Sequence, residues 1–213
     1  TGWLLFNLAG AFAVGLGGYG DGDPAPIWVL FVTSVIGWAA FGVALWQLSL
    51  RAGSGDPLAD YGIAVKPIDV AAAIAGVVTQ IALVPLVYLP LEELWPDTFN
   101  NSALSENAED LVARASGIGV VLLVVMVCIG APVIEELVYR GLMQRSLVGR
   151  TGPAVGLVAG AAFFALIHFR PVEYPGLFVA GLVFGAAALA TGRLGPAVFA
   201  HVGFNVTGLI LAS

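Results

Sequence analysis

The C-terminal half of this 213-residue chain holds a few ionisable side chains inside, or at the ends of, apolar segments. They are Glu135, Glu136, Arg140, His168 and His201, with the amide of Asn205 among them. Both histidines of the chain belong to this set. Because an ionisable group within a membrane span costs at least a few kcal/mol to insert, each of these residues is a candidate for chemistry.

The two adjacent glutamates are predicted to have different roles. Glu136 and Arg140 are four residues apart and share one helix face, so they can form an ion pair that offsets the cost of burying both. Glu135 points about 100° away around the helix and has no such partner. An unpaired carboxylate at such a position is suited to act as a general base. We therefore expect Glu135 to carry out chemistry and Glu136 to hold the structure.

A stripe of residues at every fourth position leads to His168. Gly152, Gly156, Gly160 and Phe164 precede it at this spacing. Glycines on one helix face allow another helix to approach closely. The stripe therefore predicts that His168 lies at a contact between two helices.

His201 and Asn205 are also four residues apart, on the last apolar segment. Their side chains project from one side of a helix and can direct two hydrogen-bond donors at one point, as an oxyanion site requires. A single buried histidine or amide is more often a packing residue. The concentration of these groups in one part of an otherwise apolar chain favours a shared site.

Membrane-spanning helices are needed to position these side chains. Hydrophobic residues make up 59% of the chain and charged residues 10%, whereas roughly a quarter of the residues in soluble domains are charged. This composition excludes a disulfide-rich extracellular module, a coiled coil and a disordered tail. We predict an all-α, polytopic membrane bundle with about seven transmembrane helices. The expected spans are 2–18, 27–50, 68–90, 117–139, 153–169, 175–191 and 195–212.

The chain divides into two expected parts: residues 1–116, with N-terminal transmembrane helices and an acidic loop, and residues 117–213, the catalytic helical core. The acidic loop, 92–114, is predicted to contain a short helix capped by Ser105. Because the first span lacks a starting Met and a basic leading region, we expect that it is not a signal peptide and that the native start lies upstream. The net charge of −6 argues against a nucleic-acid partner.

Basic residues are concentrated on alternate loops, which predicts that these loops are cytoplasmic. They are Arg51, Lys66, Arg145, Arg150 and Arg193, against Arg114 and Arg170 on the other loops. This assignment places His168 near the outer end of its span and His201 near the inner end of the last span. A shared site needs both histidines at one depth, so one element must be short, bent or re-entrant.

Three short motifs occur in order on successive apolar segments: Glu-Glu-x-x-x-Arg at 135–140, Phe-x-x-x-His at 164–168 and His-x-x-x-Asn at 201–205. Together they resemble the CPBP family of intramembrane proteases, which includes eukaryotic CAAX prenyl endopeptidases and bacterial Abi and bacteriocin-processing proteins. The resemblance covers roughly residues 117–212. It implies an endopeptidase that cleaves a membrane-associated or lipidated, CAAX-like peptide in the bilayer. We accordingly expect an integral, multi-pass protein of a bacterial cell membrane, with its oligomeric state left open.

The resemblance also implies roles for individual residues. Glu135 and His168 would activate a water for attack on the peptide carbonyl, while His201 and Asn205 would stabilise the oxyanion. The supporting residues would be Glu136, Arg140 and Phe164.

Some alternatives stay open at this point. The family has also been described as metalloproteases, and a zinc ion held by Glu136, His168 and His201 is chemically possible. Because the sequence lacks His-Glu-x-x-His and Glu136 has Arg140 as a partner, we favour a mechanism without metal or cofactor. A proton-coupled transporter with a Glu–His relay is another possibility, although no internal repeat of the kind found in many transporters is visible. A third is a catalytically silent membrane scaffold or immunity protein.

Overall fold

The computed structural model describes residues 24–213. These residues form an all-α bundle without a β strand, as the composition predicted. Its helices are α1 (Ile27–Ala52), α2 (Pro57–Tyr61), α3 (Pro67–Leu94), α4 (Asn101–Arg114), α5 (Ile118–Thr151), α6 (Pro153–Leu166), α7 (Tyr174–Thr191) and α8 (Gly195–Leu211). A 3₁₀ turn, Pro171–Glu173, leads into α7.

The apolar helices are of two lengths. α1, α3, α5 and α7 with its leading turn are long and apolar enough to cross a bilayer. α6 and α8 have 14 and 17 residues, so at about 1.5 Å per residue they are shorter than the roughly 30 Å hydrocarbon layer. The predicted span 2–18 lies outside the described residues, and the other six predicted spans correspond to these six helices. The chain is therefore an integral membrane protein with a polytopic helical bundle.

The longest helix, α5, departs most from the predicted spans. It extends well beyond the predicted end at 139. Two polar residues past that point, Arg140 and Gln144, are buried in the bundle instead of lying in a loop. α5 also contains two π-helical stretches, Val125–Gly130 and Leu137–Gln144, and π-helical turns are frequent at functional sites.

Glycines bring the helices that carry the candidate residues close together. A Cβ atom on Gly76 of α3 would overlap the carbonyl oxygen of Ala200 on α8. On α6, a Cβ atom on Gly156 would fall on Val148 of α5, so the predicted stripe does face another helix. Gly152 differs, because it has a φ of 86° and no neighbour within 4 Å among the described residues. It is a turn residue at the start of α6.

The antiparallel pairing of α6 with α5 removes the conflict in depth between the two histidines. The facing residues are Gly156 and Val148, Gly160 and Gln144, and Phe164 and Arg140. His168 follows the end of α6, and the Phe164 ring contacts both His168 and His201, so the two imidazoles lie at one depth. His201 bonds to Glu136 directly. The short element is α6, which starts only after α5 has continued past the polar cluster.

The basic loops converge on one end of the bundle, which we call the basic end. It carries Arg51, Lys66, Arg145, Arg150 and Arg193. Arg145 donates hydrogen bonds to the carbonyl oxygens of Ala59 and Gly192, which ties α5 to two other loops. Arg193 forms an ion pair with Asp69 at the start of α3. The alternate loops that were grouped by charge therefore lie together in space.

The opposite end of the bundle carries the acidic helix α4. The side chain of Asn100 accepts a hydrogen bond from the backbone N–H of Ala103 at 2.9 Å. The helix therefore begins earlier than predicted, and the predicted cap at Ser105 is wrong. Glu106 lies 3.9 Å from Arg170, which connects α4 to the turn before α7.

Candidate active site

Glu136 lies at the centre of a buried polar cluster. Its Oε1 accepts hydrogen bonds from Nη1 of Arg140 and from Nδ1 of His201, both at 2.8 Å. The Glu136 side chain is fully buried, and those of Arg140 and His201 are 1% and 5% exposed. The ion pair predicted from the four-residue spacing is formed, and His201 joins it from α8. The second oxygen, Oε2, is buried without a hydrogen-bond partner among the described residues.

Two polar side chains of α5 bind the backbone of α7. Nη2 of Arg140 donates to the carbonyl of Gly181 at 3.1 Å, and Nε2 of Gln144 donates to the carbonyl of Gly185 at 3.0 Å. A Cβ atom on Gly185 would overlap the Gln144 amide. Gln144 is not among the predicted residues, although it continues the four-residue spacing of Glu136 and Arg140 by one more turn. The four-residue spacing that would identify Gln144 continues beyond 139, where the predicted span ends.

Two aromatic rings enclose the charged groups. The guanidinium carbon of Arg140 lies 4.4 Å from the ring centroid of Phe164 and 5.5 Å from that of Phe184. The His201 ring stacks on Phe184 with a centroid distance of 4.7 Å and an interplanar angle of 20°. A desolvated cation over an aromatic face gains about 2 kcal/mol, which helps to offset the burial of Arg140. The sequence does not single out Phe184, because it looks like any other apolar residue of its span.

Glu135 has a different environment from its neighbour. Its side chain is 29% exposed, and its Oε2 lies 3.9 Å from Nε2 of His201. This separation is longer than a hydrogen bond. The two ring nitrogens of His201 therefore face different glutamates. Nδ1 bonds to Glu136, and Nε2 faces Glu135 without a direct hydrogen bond.

His168 is connected to the cluster through Phe164. Its Nδ1–H donates to the carbonyl of Phe164 at 2.7 Å, which leaves Nε2 as the acceptor nitrogen of the neutral ring. The Phe164 ring contacts both imidazoles, with centroid distances of 4.9 Å to His168 and 5.8 Å to His201. Among the described residues, His168 forms no hydrogen bond or ion pair with Glu135 or His201. Phe169 follows with a φ of 54°, a left-handed conformation that is uncommon for a bulky residue, so the chain turns sharply after His168.

Asn205 uses its amide to satisfy a backbone carbonyl of α5. The N–H of Ala131 bonds to the carbonyl of Met126 in the π-helical stretch, so it is not available to Val127. The next donor along the helix would be residue 132, but Pro132 has no N–H. Nδ2 of Asn205 donates to the Val127 carbonyl at 2.8 Å in its place. One of the two amide N–H groups therefore has a structural partner.

The structure brings most of the predicted residues together. Hydrogen bonds, ion-pair distances and ring contacts connect Glu135, Glu136, Arg140, Phe164, His168 and His201. Asn205 is one turn from His201 on α8, with its recorded hydrogen bond directed to α5. The arrangement combines a partly exposed carboxylate with a rigidly held imidazole, which are groups that can move a proton and bind an oxyanion.

The three predicted zinc ligands do not converge on one point. Nδ1 of His201 and Nη1 of Arg140 both donate to the same oxygen of Glu136, so a cation already lies against that carboxylate. Nδ1 of His168 is bonded to a backbone carbonyl. In the part of the chain that the structure describes, no group of three His, Cys, Asp or Glu side chains is arranged to hold a metal ion. These contacts do not fit a zinc site held by Glu136, His168 and His201.

Residues 117–207 match a family model described as type II CAAX prenyl endopeptidase Rce1-like. The matched segment contains the whole cluster, from Glu135 to Asn205. No curated protein and no solved structure matches the chain. The family match confirms the resemblance to CAAX endopeptidases that the three motifs indicated.

Proposed function

We propose that the chain is an intramembrane endopeptidase in which Glu135 activates the attacking water. The match of residues 117–207 to the model described as type II CAAX prenyl endopeptidase Rce1-like supports this proposal. The observation that carries the proposal is the unequal environment of two adjacent glutamates. Glu136 is fully buried in an ion pair, whereas Glu135 is partly exposed beside an imidazole. One carboxylate is therefore committed to structure and the other is available for chemistry.

Glu135 is the proton acceptor of the proposed reaction. It takes a proton from a water molecule as the water oxygen attacks the scissile carbonyl, and it later returns a proton to the leaving amine. His168 assists from the end of α6, where its Nε2 is the acceptor nitrogen. The 3.9 Å distance between Oε2 of Glu135 and Nε2 of His201 supports a small site with the proposed proton acceptor on one side and the proposed oxyanion-stabilising imidazole on the other.

The remaining groups position this site and stabilise the oxyanion. Glu136 accepts the Nδ1–H of His201, which fixes the orientation of the imidazole, and Arg140 supplies the opposite charge for Glu136. Asn205 has a second amide N–H besides the one given to Val127. This N–H and the Nε2–H of His201, in the doubly protonated form of its ring, supply the proposed stabilisation of the oxyanion.

The proposed substrate is a membrane-associated or lipidated, CAAX-like peptide. The helices that carry the site are apolar along most of their length, so a substrate held at the bilayer reaches the site more readily than a freely dissolved peptide. The family match supports a CAAX-type peptide bond at this level of detail. A bacterial cell membrane stays the predicted location.

Comparative mass spectrometry of membrane peptides tests the proposal. Cells that produce the wild-type chain are compared with cells that produce Glu135→Gln, which keeps the size of the side chain but removes the proton acceptor. Glu93→Gln, an exposed acid on α3, is the matched control. We expect cleavage products that are present with the wild type and with Glu93→Gln and absent with Glu135→Gln.

A different result would favour a proton-coupled transporter over a protease. Identical peptide patterns for wild type and Glu135→Gln would contradict the protease proposal. If purified wild-type protein then dissipated a proton gradient across liposomes while leaving peptides intact, the Glu–His cluster would belong to a transporter.

A further inference from the structure

A cavity of about 280 Å³ lies at the basic end of the bundle, between α5, the C-terminal part of α7 and the loop that follows it. Its polar lining consists of Arg140, Gln144, Arg145 and Arg193, with Tyr61 at one side. The other lining residues are aliphatic or glycine, and none of the described residues that line the cavity is acidic. Because the Arg140 side chain is only 1% exposed, Arg145 and Arg193 are the lining cations that can reach a ligand. A lining with these cations and no carboxylate suits an anion.

The charge balance of these arginines leaves one positive charge without a neutralising partner. Arg140 is paired with Glu136, and Arg193 is paired with Asp69. Arg145 forms no ion pair within the part of the chain that the structure describes. The cavity is therefore suited to a group that carries a single negative charge.

The contacts of Arg145 explain how its charge is held in place. Its N–H groups donate to the backbone carbonyl oxygens of Ala59, Asp60 and Gly192. The carboxylate of Asp60 forms no ion pair with Arg145, and it accepts hydrogen bonds from the side chain of Ser49 and from the backbone N–H of Ser54. Carbonyl dipoles fix the guanidinium without cancelling its charge.

The position of the cavity indicates where such a ligand comes from. Trp46 is 55% exposed and lies shortly before Arg51 on α1, as expected for an aromatic anchor at the membrane interface. Leu189 of α7 lines the cavity, and two nearby residues of the same helix, Ala186 and Ala190, are exposed. The cavity therefore adjoins a surface that faces lipid, at the level of the headgroups.

We propose that this cavity binds the phosphodiester of an anionic phospholipid. Arg145 and Arg193 hold the phosphate. Basic pockets between transmembrane helices commonly bind anionic headgroups in this way. The inference does not depend on proteolysis, and it can be tested without a cleavage assay.

The test measures thermal unfolding of the purified chain in phosphatidylcholine vesicles that contain increasing fractions of phosphatidylglycerol. A ligand that binds the folded state raises the unfolding temperature. We expect such a rise for the wild type, and about tenfold weaker phosphatidylglycerol binding for Arg145→Gln, which loses the charge-assisted hydrogen bonds. Arg150→Gln is the matched control, because Arg150 is an exposed arginine of the basic end that does not line the cavity.

A second variant keeps the test decisive if Arg145→Gln fails to fold. Leu189→Trp fills the cavity without removing a charge, and it should also abolish the phosphatidylglycerol-dependent rise. Equal losses in Arg145→Gln and Arg150→Gln would overturn the proposal in favour of general surface attraction. A peptide with a free C-terminal carboxylate could instead stabilise the protein in pure phosphatidylcholine. If its C-terminal amide and phosphatidylglycerol both fail to do so, the lipid proposal is overturned in favour of a peptide site. Stabilisation by soluble glycerol phosphate alone would assign the site to a free phosphate compound.

Discussion

Replacing Glu136 by glutamine should destabilise the protein much more than the same change at Glu135. Glu136 is fully buried and accepts two hydrogen bonds at 2.8 Å, from Arg140 and His201. After Glu136→Gln, the guanidinium of Arg140 stays buried beside the Gly181 carbonyl and the aromatic rings, and it loses the counter-charge that is bonded to it. Removing one partner of a buried ion pair typically costs about 3 to 5 kcal/mol.

This cost converts into a measurable change in Tm. In a domain of this size, 1 kcal/mol shifts the Tm by about 2 to 4 °C, so Glu136→Gln should lower the Tm by roughly 10 °C. Glu135 is 29% exposed, and its Oε2 lies 3.9 Å from Nε2 of His201, beyond hydrogen-bond distance. Glu135→Gln should therefore change stability by only about 0.5 kcal/mol, as surface substitutions usually do.

The assay is thermal unfolding of the purified variants in detergent, followed by circular dichroism. The double variant Glu136→Gln with Arg140→Met serves as a further control, since it removes the orphaned cation and should recover part of the lost stability. A Tm for Glu136→Gln equal to that of the wild type would show that the ion pair does not stabilise the fold. A large loss for Glu135→Gln would contradict the division of roles between the two glutamates.

Three other predictions concern residues that support the site. Gly76→Ala should cost about 1 to 3 kcal/mol, because its Cβ would overlap a backbone carbonyl of α8. Gly42 is the matched control, since a Cβ there has no neighbour within 4 Å among the described residues. Gly42→Ala should therefore be neutral in the same unfolding assay. Asn205→Ala should cost about 1 to 3 kcal/mol in addition to any loss of activity, since a buried carbonyl of α5 loses its donor; an unchanged Tm would show that this amide does not hold the structure. A hydrogen bond from Ser49 lowers the pKa of Asp60 below its ordinary 3.8, so the stabilisation from Asp60 is present above that pH and is lost as the pH falls through the lowered pKa. The Tm difference between wild type and Asp60→Asn should therefore shrink as the pH falls from about 5 through 3.8 and below it, and a difference that stays constant over this range would exclude this role for Asp60.

The parts of the site that depend on one helix could be predicted from the sequence. The Glu136–Arg140 pair follows from helix geometry alone, and the glycines before Phe164 do mark a close helix contact. The bond from His201 to Glu136 could not be predicted, because it depends on how closely α8 packs on the rest of the bundle. Local spacing determines which side chains share a face, but it does not say which face of another helix they meet.

The errors in the predicted helices have a common cause. Hydropathy predicts that a span ends where polar residues begin, and this places the end of α5 at 139. The helix continues because Arg140 and Gln144 are buried and bond to backbone carbonyls of α7. The contact of Asn205 with Val127 arises from a π-helical register followed by Pro132, which no side-chain pattern indicates. The catalytic roles, the division at residue 116 and the preference for a metal-free reaction stay predictions.

The most direct test of the glutamate mechanism is the initial rate at which the purified protein in liposomes cleaves a peptide identified by the mass spectrometry comparison. We predict a rate for Glu135→Gln that is lower than that of the wild type by about 10²-fold or more, with the same Tm, and a wild-type rate that persists after treatment with a strong chelator. Equal rates for wild type and Glu135→Gln would refute the role of Glu135. Cleavage that is abolished by chelation and restored by zinc would replace the glutamate mechanism with a metal-dependent one.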